Sequence, residues 1–166
     1  MAAAQTKQAA PALDSPDRRR LPPLLRRAWF GLNQAFRRRI LHTGVTPDQF
    51  TVLRTLIECD SPGIIQSELT KLMASDPNTV ASLLARMEGA GWLKRQPHEL
   101  DRRAHRVSLG TAGRRKYAEI REIALALQSQ VLLALPENRH EEFLEDLAQV
   151  ADACQKAAGM SPTRKR

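Results

Sequence analysis

Aromatic side chains are scarce in this 166-residue chain, at 4% of residues. The 42% that are apolar must therefore come mainly from Leu, Ala, Ile and Val, which favours a helical core. Only two cysteines occur, Cys59 and Cys154, neither with a second Cys or nearby His at metal-ligand spacing. That pattern excludes a disulfide framework, predicts no bound metal and suits a reducing compartment. The longest apolar runs, Ile123 to Leu127 and Val131 to Leu135, fall far short of the roughly 18 residues of a membrane span. The N-terminal Met-Ala-Ala-Ala-Gln-Thr-Lys lacks the apolar core of a secretion signal, so the expected location is the cytoplasm. No nucleophile elbow, phosphate loop or cluster of acid and base is present, so neither an enzyme nor a cofactor is expected. Acidic residues are outnumbered 18 to 26 by Lys and Arg, for a net charge of +8 and a pI near 10.3. Such an excess calls for a polyanionic partner, either nucleic acid or an acidic membrane surface.

The length suits one domain with tails. Residues 1 to 20 are Ala, Pro, Gln and Asp leading into Arg18, Arg19 and Arg20, without apolar periodicity. They read as a loose basic arm, either solvated or touching phosphate. Pro22 and Pro23 can open a helix, where the first N–H groups have no intrahelical use. Leu25, Trp29, Leu32, Phe36 and Ile40 then mark one apolar face, with arginines 26, 27, 37, 38 and 39 on the other, until Gly44 breaks the run. Thr46-Pro47-Asp48-Gln49 has the form of a capping box, and Phe50, Leu53, Leu56 and Ile57 give the second helix its buried side. Asp60 to Gly63 is a turn, Ile64-Ile65 a stub of strand, and Gln66 to Met73 a short helix with Leu69 and Leu72 inward.

Asp76 and Pro77 can cap and open a fourth helix, with Val80, Leu83, Leu84 and Met87 as its stripe. Two short helices joined by so brief a turn have the sequence form of a helix-turn-helix. Gly89 and Gly91 end the second of them. Trp92 starts a strand, Pro97 to Arg103 is a hairpin tip, and Ala104 to Leu109 returns with Val107 and Leu109 on one face. A long helix follows Gly110, with Thr111 as a possible cap and Tyr117, Ile120, Ala124, Leu127, Val131 and Ala134 along a heptad-like seam. Pro136 stops it. A last helix, about 137 to 157, carries Phe143, Leu147, Val150 or Ala151, and Cys154. Exposed seams with no second domain to cover them argue for a partner subunit.

Asp101-Arg102-Arg103 followed by Val107-Ser108-Leu109 resembles the wing signature of the MarR family of bacterial transcription regulators. Thr46 to Leu53, Gln66-Ser67-Glu68-Leu69, Thr79-Val80, Leu84 and Gly91-Trp92-Leu93 support the resemblance in order and spacing, over about residues 24 to 155. One departure is Gly110, where the family usually has threonine. The resemblance implies a mostly α fold, a winged helix-turn-helix with a three-helix dimerisation region built from both chain ends. On that plan residues 1–20 are a disordered basic arm, 21–45 and 111–158 dimerisation helices, 46–110 the DNA-binding region and 159–166 a basic tail. It also implies a homodimer on a pseudo-palindromic operator in double-stranded DNA and a small, often phenolic, effector. A repressor is the first reading of the function, and a winged-helix module that binds RNA or an acidic protein partner is the alternative.

Within the fourth helix, Asn78, Thr79, Ser82 and Arg86 fall between the apolar positions and have the chemistry for reading base edges. Asn78 can pair with adenine and Arg86 with guanine or phosphate; alternatively Asn78 solvates the first turn and Thr79 serves packing. Arg102 and Arg103 sit at the wing tip, flanked by Arg95 and Arg106, and arginines are drawn to the potential of a minor groove. The resemblance gives Asp101 the task of orienting Arg103. From Arg86 to Lys116, nine Lys or Arg stand against three Asp or Glu. Trp29, His42 and Phe50 are candidates for lining an effector pocket or for ordinary interhelical packing. His98 and His105 lack metal-ligand partners, and Cys59 reads as a structural thiol.

Overall fold

The computed structural model describes residues 15–16, 19–59, 63–97 and 104–159. The expected basic arm before Ser15, the turn at 60–62, the wing tip at 98–103 and the tail from 160 lie outside the described residues. The chain divides into two compact units, residues 1–35 and 36–166. Helix α1, Leu21–Ile40, begins in the first unit, where Trp29 and Phe30 are each 64% exposed beside exposed Leu21, Leu24, Leu25 and Leu32.

In the second unit α1 ends at the fully buried Ile40, and a 3-10 turn, Leu41–Thr43, leads to α2, Pro47–Glu58. The capping box forms as the sequence predicts. The Thr46 hydroxyl accepts from the Gln49 N–H at 3.3 Å, and the Gln49 side chain accepts from the Thr46 N–H at 2.8 Å. Strand β1, Ile64–Ile65, runs into α3, Gln66–Leu72, and a tight turn leads to α4, Pro77–Gly89. Strands β2, Leu93–Pro97, and β3, His105–Leu109, form an antiparallel hairpin with Leu93 opposite Leu109 and Pro97 opposite His105. β1 pairs antiparallel on the other side of β3, Ile64 opposite Val107, so β2 is an edge strand. An edge tolerates Pro97, which has no N–H to give a ladder. Helix α5, Thr111–Leu132, and helix α6, His140–Ala157, complete the chain.

Aliphatic side chains dominate the core, as the scarcity of aromatics requires. Leu53, Leu69, Leu84, Met87, Leu93, Val107 and Ile120 join α2, α3, α4, the sheet and α5 in one buried cluster. Val52 is also buried, so the inward side of α2 is wider than its periodicity suggests. Phe50 is the one fully integrated ring: Phe36 meets it edge-on at 5.1 Å and Tyr117 stacks on it at 5.7 Å.

The start of α5 differs from expectation. Thr111 is not the cap; Gly110 occupies that position in an extended conformation, with no side-chain cap. The cause is crowding. The Gly110 N–H donates to the Trp92 carbonyl at 3.0 Å, and a Cβ there would lie 3.2 Å from the Gly91 carbonyl oxygen. One turn on, a Cβ at Gly113 would stand 2.1 Å from the Trp92 oxygen. The absence of two side chains lets α5 lie directly on the turn between α4 and β2.

Candidate nucleic-acid interface

Helix α4 is set by its first residues. The Asp76 carboxylate accepts the N–H groups of Asn78 at 2.8 Å and Thr79 at 2.9 Å, while Pro77 has no N–H to leave unpaired. Val80, Leu83, Leu84 and Met87 are buried, which turns the opposite side to solvent. Asn78, Thr79, Ser82 and Arg86, the four side chains predicted to face a groove, are all exposed there. Arg86 folds back along its helix, its Nε 3.4 Å from the Ser82 carbonyl oxygen. The turn before α4 holds a feature that no local residue type announces. The N–H of Ser75 reaches the Thr70 carbonyl and that of Ala74 the Lys71 carbonyl, closing α3 with a left-handed residue. That residue is Ala74, at φ +47°, where glycine is usual.

The far end of α4 closes in the same way, but with glycine. Gly91 takes φ +72°, and the Trp92 N–H reaches back to the Met87 carbonyl, so the strand starts at Leu93 rather than at Trp92. The chain then doubles back beside the helix it has left. Glu88 Oε1 accepts the Arg95 backbone N–H at 3.0 Å; Glu88 Oε2 accepts Arg95 Nε at 2.7 Å and lies 2.5 Å from Nη2. On β3, Arg106 donates from Nη1 to the Gly63 carbonyl at 3.2 Å, tying the wing to the approach to β1. Arg95 and Arg106, expected to flank the wing tip as DNA-binding residues, are half-buried and bonded within the fold. Asp101, Arg102 and Arg103 lie outside the described residues.

Glu88 had no place in the sequence reading, although its signal was available: opposite charges seven residues apart, straddling a glycine turn between helix and strand. Lys116 was missed too. Its ammonium donates to the Thr43 carbonyl and to Glu119, each at 3.0 Å, joining α5 to the end of the 3-10 turn.

The candidate effector residues are dispersed in role. Trp29 and His42 are exposed, and Phe50 is enclosed by the rings of Phe36 and Tyr117. A shallow depression of about 290 Å³ is lined instead by Trp92, Ala112, Arg115, Lys116 and Glu119. Among the described residues, no group of three or more His, Cys, Asp or Glu is placed to hold a metal ion, and no helix is long and apolar enough to cross a membrane.

A helix pair with a tight turn, a second helix with one polar exposed side and a three-stranded sheet ending in a basic hairpin together define a winged helix-turn-helix, a DNA-binding class. A family model described as MarR family matches residues 45–105. The transcriptional regulator HosA of Escherichia coli O127:H6 is 31% identical over 101 residues, spanning 61% of this chain and 73% of HosA. The structure of the transcriptional repressor CouR, from Rhodococcus jostii RHA1, bound to a 23-mer DNA duplex is similar with a TM-score of 0.71 and 26% identity, over 80% of this chain and 92% of CouR. BpsR of Bordetella bronchiseptica, whose DNA binding is regulated by 6-hydroxynicotinic acid, matches with a TM-score of 0.71 and 25% identity, over 78% of this chain and 97% of BpsR. The chain belongs to the MarR family and is a DNA-binding transcriptional regulator.

Proposed function

We propose that this regulator is a homodimeric repressor that places one α4 in each of two successive major grooves of a pseudo-palindromic operator and is released by a small aromatic effector. The observation that carries the DNA reading is the division of α4: four buried apolar residues hold it, and Asn78, Thr79, Ser82 and Arg86 share its free side. Asn78 has the paired donor and acceptor that adenine requires, and Arg86 the fork that guanine or phosphate accepts. Arg102 and Arg103 enter the flanking minor groove, with Asp101 orienting Arg103.

Exposed apolar residues support the dimer. Leu125, Val131 and Leu133 in and just after α5 and Phe143 and Leu147 on α6 are exposed, as are Leu25, Trp29 and Leu32 in the first unit. Such rows favour burial against a second copy. Helices 21–45 and 111–158 are accordingly the dimerisation region, and 46–110 the reading head. For the effector, support comes from BpsR and its 6-hydroxynicotinic acid, and from CouR, which has been crystallised with p-coumaroyl-CoA.

A gel-shift with the gene's own upstream DNA, random DNA and RNA tests the proposal. The expected result is preferential binding to the upstream DNA. With roughly 6 to 10 phosphates neutralised, affinity should fall about 10³- to 10⁵-fold between 50 and 200 mM salt. Equal binding to all three, or affinity nearly independent of salt, would overturn it.

A further inference from the structure

We infer that Glu88 is a positioning residue for DNA reading: through Arg95 it latches the wing to the end of the recognition helix, and Arg95 serves that latch rather than a DNA phosphate. The inference rests on the DNA-binding reading above and assigns the geometry by which its two parts act together.

One carboxylate takes hold of a single residue in two ways. Glu88 Oε1 receives the main-chain N–H of Arg95, and Oε2 receives the guanidinium of the same residue. A bond to the head group alone would leave the strand free to slide beneath a long side chain. A bond to the main chain fixes the strand itself. Arg95 also lies opposite buried Val107, two residues from buried Leu93, so alternation turns it inward while Lys94 and Gln96 face solvent. β2 is an edge strand, held by β3 on one side only, and α4 supplies its second attachment. The latch takes up the Nε–Nη2 edge of the guanidinium and ties the head group to α4, so Arg95 cannot swing out as a whole to a phosphate while the latch holds.

The mechanical consequence concerns simultaneity. The recognition helix and the wing tip address different grooves of one duplex, and a hinge between them would have to be ordered on binding, at the cost of affinity. Exposed ion pairs are weak contributors to stability, so the effect of this half-exposed pair is expected on DNA binding more than on folding.

Glu88→Ala, Arg95→Ala, the double variant and Arg95→Lys are compared with the wild-type protein in full-length form, by operator affinity across a salt series and by thermal unfolding. The latch predicts that Glu88→Ala and Arg95→Ala each weaken operator binding by roughly 3- to 10-fold, about what the loss of a charge-assisted pair delivers. The double variant should be no weaker than either single one, because both remove the same interaction. The salt slope should stay at the wild-type value in Arg95→Ala, and Arg95→Lys should not restore affinity, since lysine lacks the fork. A phosphate-binding Arg95 makes opposite demands: Glu88→Ala would bind as well as or better than wild type, Arg95→Ala would lower the salt slope by about 1, and Arg95→Lys would bind normally. Any of these would overturn the inference. If Glu88→Ala does not fold, Glu88→Gln paired with Arg95→Lys makes the same comparison without opening a gap. Wild-type protein that failed to prefer its operator would overturn the functional reading itself, and the latch with it.

Discussion

The Glu88 carboxyl is held below its ordinary range, chiefly by the hydrogen bond from the Arg95 side chain and next by the Arg95 N–H. Desolvation opposes the shift, while the positive charges of Arg95 and His105 add to it. A pKa lower in the folded than in the unfolded state means that the native form binds fewer protons in acid. The stabilisation is therefore complete above the ordinary glutamate value and is lost as the pH falls through the lower, folded one. Melting curves from pH 7 to 3 should show wild type more stable than Glu88→Gln near neutrality, with the difference closing in acid; a gap independent of pH would contradict this origin. Ala74 presents strain of another kind, because a left-handed conformation brings an L side chain against its own carbonyl. Ala74→Gly should raise stability by about 1 kcal/mol and Tm by about 2–4 °C in a calorimetric scan. Asp76 and Thr46 were legible as caps because their partners lie two or three residues away. Ala74 was not, since nothing in its own chemistry marks it as left-handed; the bonds that close α3 around it do.

At the scale of elements, the described helices and the hairpin were readable from periodicity and stop signals, with boundaries shifted by up to three residues: α6 starts at His140 rather than about 137, and α1 runs into a 3-10 turn. Some of the shifts follow from tertiary contacts. Trp92 is one example, its N–H still closing α4 and its carbonyl receiving Gly110. Gly113 is another: in sequence it is an unfavourable helix residue, and in the fold it is the only type that fits against the Trp92 oxygen. Gly113→Ala should therefore destabilise the protein, despite alanine's better helix propensity, by about 1–3 kcal/mol as overpacking does. A urea midpoint equal to or above wild type would show that α5 can move away from the turn without cost. The wing's basic character was legible in its composition. The bonds of Arg95 and Arg106 within the fold were not, because alternation assigns a side chain its face without saying that the Glu88 carboxylate or the Gly63 carbonyl lies within reach of it.

For the whole molecule, the proposed homodimer requires that assembly and DNA reading fail separately. Phe143→Glu with Leu147→Glu places charges in the exposed apolar row of α6 and should yield monomers in sedimentation, with operator binding lost in consequence. Arg103→Ala should weaken operator binding while the protein still sediments as a dimer. Dissociation of Arg103→Ala would place that residue in the interface instead. By itself the sequence determined the helical character, the capped recognition helix, the basic wing and the family, since each is written in residues close together along the chain: caps at i+2 and i+3, apolar stripes at three and four, glycines at the stops. Only the tertiary structure decided which of these cations face solvent and which are tied to distant parts of the fold. Arg86 stands exposed on its helix while Arg95 and Arg106 are drawn into bonds by groups distant or reversed in the chain, and an arginine's partner depends on where the backbone brings an oxygen, a matter of folding in three dimensions rather than of spacing in one.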